Sequence, residues 1–257
     1  MTNDMQFSSV CGIDIAKSVM QVYKVTSDGV VSNKAVKRAN FLDEFRNVPP
    51  ALIGMEACGG SQHWARELQN LGHTVRLMSP KAVKPYVTGL KNDKNDARGI
   101  YTALAMGVRE VPVKSAAIRD LALLQTMRTK RQREKVAKIN HIRGILSEYG
   151  LVMGKSINAF LAKAGSLIAE LKERVDVSSY VVSELITVFE EVKGSILKIQ
   201  ELEKNIQSIA RDNRQYELFL SAPGVGPITA ATMTVLLCNP SVFKNGREFA
   251  TYIGLAP

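Results

Sequence analysis

Four acidic residues occupy positions from which their side chains could act together. Asp93 and Asp96 are three residues apart in "KNDKNDARG", so on a helix they share one face. Asp14 lies near the end of the apolar segment "CGIDIAK", and Glu56 ends "ALIGMEA". Oxygen ligands without a cysteine and histidine set suit Mg²⁺ or Mn²⁺. The sequence therefore predicts an acidic metal site.

Phosphoryl transfer is the chemistry that such a site favours. Two divalent ions about 4 Å apart activate an attacking oxygen and stabilise a leaving oxygen at phosphorus. Each acid also has a simpler interpretation. Asp14 could hydrogen-bond a turn, and Asp93 could cap the following helix. Glu56 could pair with Lys17 or Arg98.

Basic residues indicate an anionic partner. Lys91, Lys94 and Arg98 surround the acid pair, where they could offset its charge or hold phosphates. A second group lies on a helix predicted over residues 119–149, which has apolar residues at helical spacing. This bias favours contact with a nucleic-acid backbone over a merely solvated helix face. Its candidate nucleic-acid-binding residues are Arg128, Lys130, Arg131, Arg133, Lys135 and Lys138.

The segment "PGVGP" at 223–227 is a weaker signal. Gly224 and Gly226 in a turn before an apolar helix would expose backbone N–H groups at a positive helix end, which is a general phosphate seat. In helix–hairpin–helix modules such a loop grips DNA without reading its sequence. A purely structural turn is the alternative.

Composition restricts the classes of protein. The chain has 257 residues, a formal net charge of +10 and 46% hydrophobic residues, as expected for a globular protein with a nucleic-acid partner. The three isolated cysteines predict neither a zinc site nor a disulfide framework and fit a reducing cytosol. The sequence has no apolar run of the roughly 18 residues that a membrane span requires.

The order of elements predicts an α/β fold followed by a helical region. Up to about residue 114 the pattern reads β-β-β-α-β-α-β-α, which implies a mixed sheet covered by helices. Residues 115–215 form a helical coiled-coil or assembly region, with a second long helix over 179–213 and a weakly patterned connection over 150–178. Residues 216–257 begin a further helical domain, which we expect to be incomplete.

The second long helix carries an apolar seam with heptad-like steps and one short step. Such a seam fits a coiled coil between copies of the chain, or an antiparallel hairpin with the helix 119–149 inside one chain. The sequence does not choose between them. The seam consists of Leu185, Phe189, Val192, Ile196, Ile199, Leu202, Ile206 and Ile209.

Five segments together resemble the Asp-Glu-Asp-Asp transposases of bacterial insertion sequences, which are related to the Piv-type DNA invertases. They are "GIDIAK", "GMEACGG", "KNDKNDARG", "APGVGPITAATM" and "GREFATYIGLAP", in the family order. The resemblance implies a RuvC-like, ribonuclease H-type domain whose four acids, at Asp14, Glu56, Asp93 and Asp96, bind Mg²⁺. It also implies a coiled-coil assembly region and a C-terminal transposase domain.

The same resemblance implies partners and a location. Members of the family cut and rejoin donor and target DNA as homo-oligomers, guided by a structured bridge RNA, in the bacterial cytoplasm at the nucleoid. Their serine nucleophile follows the "GLxP" motif, within which this sequence ends at Pro257. Ser221 and Ser241 precede that motif and do not align with it.

Three other functions share features with this sequence. A RuvC-type junction nuclease would use the same acids with water as nucleophile. A non-catalytic nucleic-acid-binding scaffold would keep only the basic helix and the seam. An actin-like ATPase is disfavoured, because the sequence has no second phosphate loop rich in Asp and Gly.

Overall fold

A computed structural model describes residues 7–90 and 92–255. The chain divides into two compact units. The first contains the chain up to Ser115 together with the part from Asn239, and the second runs from Ala116 to Cys238. Residues predicted to form a third domain, 216–257, are thus distributed over both units. The predicted domain limits themselves stay a prediction.

The first unit is built on a six-stranded mixed sheet, which confirms the predicted α/β architecture. The spatial order is β3-β2-β1-β4-β5-β6, with β1 parallel to β4 and β4 parallel to β5. The other three neighbouring pairs are antiparallel. The strands are β1 (Ser9–Ile15), β2 (Val19–Thr26), β3 (Val31–Lys37), β4 (Ala51–Glu56), β5 (Thr74–Met78) and β6 (Glu110–Val111).

Helices cover both faces of the sheet, as the apolar runs of the inner strands require. On one face α1 (Ser61–Asn70) buries Trp64, Ala65 and Leu68 against the strands. On the other face α3 (Asp93–Ala105) buries an apolar stripe against β4 and β5. The short helix α2 (Pro80–Val83) precedes α3.

Two short segments of the first unit differ from expectation. The first helix of the predicted β-β-β-α-β-α-β-α pattern, at "NFLDEFRNV", is instead a pair of 3₁₀ turns, Arg38–Asn40 and Leu42–Glu44. Phe41 and Phe45 from this segment insert into the core, and the Phe41 ring lies edge-on to that of Trp64. Strand β6 was not predicted, because two residues are too few to show an alternating pattern.

Within the first unit, Arg109 contacts the C-terminal segment. It contains α9 (Gly246–Tyr252). The Arg109 guanidinium carbon lies 4.9 Å from the Phe243 ring centroid and 5.5 Å from that of Tyr252. Arg109 Nη1 also lies 3.3 Å from Glu248 Oε1. Cation–π and ionic contacts therefore act on the same side chain.

The second unit is helical, as predicted. Its two long helices, α4 (Ala116–Glu148) and α6 (Ser179–Ala210), pack against each other. They are antiparallel, because Arg128 pairs with Glu203 whereas the later Lys138 pairs with the earlier Glu191. Packing within the chain buries Leu185, Phe189, Val192, Ile199 and Ile206 of the predicted seam. Pairing with a second copy stays a prediction.

The connection between the long helices contains a helix that the sequence analysis missed. Helix α5 (Ile157–Lys172) begins after Ser156, whose hydroxyl accepts a hydrogen bond from Ala159 N. It buries Phe160, Ala164, Ile168 and Leu171 against α4 and α6. Two shorter helices, α7 (Arg214–Leu220) and α8 (Pro227–Leu236), complete the unit. Among the described residues, no helix is long and apolar enough to cross a membrane.

Candidate metal centre and nucleic-acid surface

Asp14 and Glu56 lie at the same edge of the sheet because their strands are parallel neighbours. Ile13 of β1 is paired with Met55 of β4, so the acids that follow these two residues are adjacent. Asp14 comes two residues after Gly12, and Glu56 two residues after Gly54. Side chains two apart in a strand share a face, so both acids lie on the face that α3 covers.

The two glycines allow α3 to approach that face. A Cβ atom on Gly12 would lie 2.3 Å from the carbonyl oxygen of Ala97 and 2.4 Å from the backbone nitrogen of Tyr101, both in α3. A Cβ atom on Gly54 would lie 3.0 Å from the Leu104 side chain. The sequence signal is therefore a glycine two residues before an acid, and it occurs on both strands.

Helix α3 supplies the other two acids from its first turn. Its N-cap is Asn92, whose side-chain oxygen accepts a hydrogen bond from Asn95 N at 2.9 Å. The alternative in which Asp93 caps the helix is therefore wrong. Asp93 is the first helical residue and Asp96 lies one turn on, so neither side chain is used as the cap.

Two polar residues that the sequence analysis missed fix the start of α3. Gln21 Nε2 on β2 donates to Asn33 Oδ1 on β3 at 2.6 Å. Asn33 Nδ2 in turn donates to the carbonyl oxygen of Lys94 at 3.0 Å. Gln21 is buried and lies opposite Asp14 in the antiparallel pairing of β1 and β2. This chain of hydrogen bonds ties the acidic turn of α3 to the edge of the sheet that carries Asp14.

Three of the four predicted acids converge. Carboxylate oxygens of Asp14, Asp93 and Asp96 all lie within 4.8 Å of one another. Asp14 and Asp96 are half-buried, and Asp93 is exposed. Glu56 does not belong to this close group, although it is near enough to interact with it electrostatically.

The electrostatics of the cluster show the cost of gathering these acids. Burial raises the pKa of Asp14, and the charges of Asp96 and Asp93 raise it further. Burial likewise raises the pKa of Glu56, with further contributions from Asp14 and Asp96. Among the described residues, no ion pair offsets these four carboxylates. A bound divalent cation would relieve the repulsion, and an all-oxygen donor set fits Mg²⁺ or Mn²⁺.

Cys58 lies beside the acids without joining them. It is exposed and follows the end of β4 by two residues. Burial of the thiol and the charges of Glu56 and Asp14 raise its pKa. Among the described residues, the close group of possible metal ligands does not include Cys58, so its donors are carboxylate oxygens.

Comparison with known proteins identifies the family. A family model described as "Transposase" matches residues 11–151, and one described as "Transposase IS116/IS110/IS902 family" matches residues 216–257. A Pseudomonas aeruginosa protein named "Probable family 20 transposase" is 37% identical over 96% of this chain and 73% of its own length.

This chain belongs to the IS110/IS116 family of transposases. Further relatives agree with that placement. A Coxiella burnetii transposase for insertion sequence element IS1111A is 32% identical over 98% of this chain and 70% of its own length. A Yersinia enterocolitica transposase for insertion sequence element IS1328 is 26% identical over 97% of this chain and 74% of its own length. The resemblance drawn from the five sequence segments is confirmed.

In this IS110/IS116-family chain, two of the three cations predicted near the acids lie on the exposed side of α3. Lys94 and Arg98 are exposed, and Arg98 Nη2 lies 3.2 Å from the hydroxyl oxygen of Thr88. Lys91 lies outside the described residues. Contact of these side chains with phosphates stays a prediction.

The cations of α4 do not form one equivalent set. Arg128 donates from Nε to Glu203 Oε1 at 2.7 Å, and Lys138 Nζ lies 2.8 Å from Glu191 Oε2, so both hold α4 to α6. Lys135 is only 7% exposed and is the least accessible of the predicted residues.

The remaining α4 cations face solvent. Lys130 lies 3.9 Å from Glu134 on its own helix. Arg131 and Arg133 are exposed and make no ion pair with any described residue. They are the α4 cations most available to an external anion.

The "PGVGP" segment is the turn between α7 and α8. Gly224 has φ +82°, a conformation that glycine adopts readily, and Gly226 is the N-cap of α8 without a side-chain cap. A Cβ atom on either glycine would meet nothing within 4 Å, so the loop is open to solvent. A phosphate seat at this turn stays a prediction.

Proposed function

We propose that this chain cuts and rejoins DNA at the ends of an insertion sequence through a divalent-metal site formed by Asp14, Asp93 and Asp96, with Glu56 beside them. The observation that carries the proposal is the convergence of three carboxylates within 4.8 Å, held there by a strand end and a helix start. Such a concentration of like charge is unfavourable unless a cation binds. The transposase relatives supply the reaction class.

The residues have separate roles in this proposal. Asp14 is fixed by β1, and Asp93 and Asp96 are fixed by α3, so they would hold Mg²⁺ or Mn²⁺ from two sides. When bound, the metal would supply electrostatic stabilisation to a phosphodiester and lower the pKa of an attacking oxygen donor. Glu56 would orient the site from the neighbouring strand. Lys94 and Arg98 would bind adjacent phosphates.

Guidance by a structured RNA and assembly into a homo-oligomer form part of the proposal. The net charge of +10 and the exposed Arg131 and Arg133 support a nucleic-acid partner. The family resemblance supports a guide RNA that pairs with donor and target DNA. The exposed apolar residues Leu123 and Met127 on α4, which are 50% and 53% exposed, support contact with a further subunit.

The proposal is tested by incubating the protein encoded by the complete reading frame with its element's terminal DNA and the RNA transcribed from that end. We expect strand cleavage with Mg²⁺, none with a chelator, and a loss of at least about 10³-fold in Asp14→Asn with DNA affinity retained. Lys17→Gln, three residues away, is the matched control and should cleave normally. Equal cleavage by Asp14→Asn and the wild type would refute the acidic site.

A RuvC-type nuclease is the second candidate, because the same acids serve a water nucleophile. The two functions differ in the step after the cut. A recombinase transfers the strand and forms a joined product, whereas a nuclease releases ends only. Quantitative cleavage without any joined product or protein–DNA adduct would favour the nuclease.

A further inference from the structure

A groove on the second unit lies between the N-terminal half of α4 and helix α8. We refer to it as the α4–α8 groove, and its volume is about 710 Å³. Volumes of about 300–1,000 Å³ are typical of sites that enclose small ligands, so the groove admits a short stretch of one strand rather than a whole duplex. Among the described residues that line it, the cations are Arg128, Lys130 and Arg133, and the one acid is Glu134.

The three cations that line the groove differ in how far ion pairs within the chain already neutralise them. Arg128 is bound to Glu203 on α6 and is mostly buried. Lys130 is 3.9 Å from Glu134 and largely exposed. Arg133 makes no ion pair with any described residue. The groove therefore keeps a positive surplus, and Arg133 is the side chain most available to an anion.

A buried donor provides an independent indication of a ligand. In the described part of the chain, Gln125 Nε2 is buried and has no hydrogen-bond partner. Gln125 lines the groove. A buried N–H group without an acceptor is unfavourable. Rotation of the Gln125 amide towards the groove would let a phosphate oxygen accept a hydrogen bond from Nε2 and remove this cost.

The rest of the lining favours a backbone over a base. Ala122, Ile228 and Val235 give the groove an apolar component that suits a sugar. None of the described residues that line the groove is aromatic. Proteins that read unstacked RNA bases, or bind single strands by stacking, use aromatic platforms. The lining instead fits phosphate and sugar, the groups that position DNA without reading its sequence.

We propose that the α4–α8 groove binds the sugar–phosphate backbone of one DNA strand, with Arg133 donating hydrogen bonds to phosphate oxygens and Gln125 donating one after its amide rotates towards the groove. The inference rests on the proposed function in that it takes DNA as the substrate. It adds a binding site outside the acidic centre and separates two neighbouring cations of α4. Arg133 contacts DNA in the groove, whereas Arg131, which does not line the groove, contributes only general charge.

The test is DNA binding by the full chain in chelator, so that no cleavage is needed, over a range of salt concentrations. A short DNA duplex and an RNA duplex of the same sequence serve as probes. Arg133→Gln should weaken DNA binding by about tenfold and reduce the magnitude of the salt slope by about 1. Arg131→Gln, on the same helix and also exposed, is the matched control and should weaken binding less than about threefold.

Gln125→Leu separates ligand binding from folding. It removes the buried unpaired donor, so the melting temperature should stay the same or rise. DNA affinity should nevertheless fall by about fivefold, because a charge-assisted hydrogen bond to phosphate is lost. A merely structural glutamine would give the opposite pattern, with a lower melting temperature and unchanged affinity.

The outcomes distinguish this inference from the proposed function. Wild-type chain that binds no DNA would count against the proposed function itself. Wild-type binding with Arg133→Gln and Arg131→Gln indistinguishable would overturn the groove alone. An affinity loss confined to the RNA probe would also overturn it and assign the groove to RNA.

Discussion

The acidic edge of the sheet and the basic helix α4 are both dense in charge, but the fold treats them differently. At the edge, two strand ends and one helix start bring acids together that no described cation neutralises. On α4, acids of the partner helix α6 neutralise Arg128 and Lys138. Charged side chains without an ion pair inside the chain indicate a ligand. Charged side chains that are paired inside the chain indicate a structural role.

Removing one acid should have the largest effect. Asp93→Asn keeps the size of the side chain but removes a charge from the cluster, so cleavage of terminal DNA should fall by at least about 10³-fold, or about 4 kcal/mol in activation free energy. The neighbouring Lys94→Gln serves as the comparison and should lose less than about tenfold. Cleavage rates that fall equally in both variants would show that the acids matter no more for cleavage than the surrounding charged residues.

The close approach of α3 to the sheet is the next test. Gly12→Ala places a Cβ atom 2.3 Å from a backbone oxygen of α3, so the helix must move. We expect a loss of about 2–4 kcal/mol in the free energy of unfolding, measured by denaturant titration, together with loss of cleavage. Gly59→Ala is the control, because a Cβ atom there meets nothing within 4 Å. Equal stability of the two variants would show that α3 is not held at this distance.

The α4 cations that pair with α6 and those that do not should differ in their effect on the free energy of unfolding, measured by the same denaturant titration. Arg128→Gln leaves Glu203 partly buried without its partner, which should cost about 1–3 kcal/mol in the free energy of unfolding. Arg131→Gln should change it by less than about 0.5 kcal/mol. A stability loss in Arg131→Gln as large as that in Arg128→Gln would contradict the division of α4 into paired and free cations.

The smallest expected effect is a gain in stability at the acidic edge. In chelator, Asp14→Asn relieves repulsion among carboxylates, so its melting temperature should rise by about 2–4 °C, or roughly 1 kcal/mol after solvent screening. A lower melting temperature in this variant would mean that Asp14 is structurally paired.

Burial of Asp14 and Glu56, together with the repulsion among the carboxylates, predicts a dependence of stability on pH. Folding raises the pKa of Asp14 and Glu56, so the folded chain binds protons more tightly than the unfolded chain. Their contribution to stability is therefore fully present below the usual carboxyl pKa of about 4 and is lost as pH rises through the raised values. In chelator, the wild type should lose stability over this range more steeply than Asp14→Asn.

Much of the acidic site could be predicted from the sequence because its determinants are local. An acid at the end of an apolar strand and two acids one helical turn apart are visible without a fold. The glycine two residues before Asp14 and Glu56 was equally visible, but its meaning depends on α3 crossing that face. Gln21 and Asn33 lie on two different strands, and the hydrogen bonds from Gln21 to Asn33 and from Asn33 to α3 exist only in the folded chain.

The helical region was less predictable because its determinants lie far apart in the sequence. Helix α5 was missed because the glycines at 150, 154 and 165 suggested a connection, although Gly165 lies within the helix, where a Cβ atom would make an ordinary contact of 3.5 Å with Phe189. The fate of the α4 cations depends on acids of α6 about fifty to eighty residues further along the chain. The number of charged residues in the sequence does not reveal which of them form ion pairs between the two helices.

Metal binding itself tests the central claim most directly. The melting temperature of wild type and Asp96→Asn is measured as Mg²⁺ or Mn²⁺ is added to metal-free chain, without nucleic acid. We expect the wild type to be stabilised in a saturable way, by about 2.7 kcal/mol at a hundred times the dissociation constant. Asp96→Asn should have a higher melting temperature without metal, and this temperature should change little as metal is added. An equal response in both proteins, or none in the wild type, would contradict a metal centre at Asp14, Asp93 and Asp96.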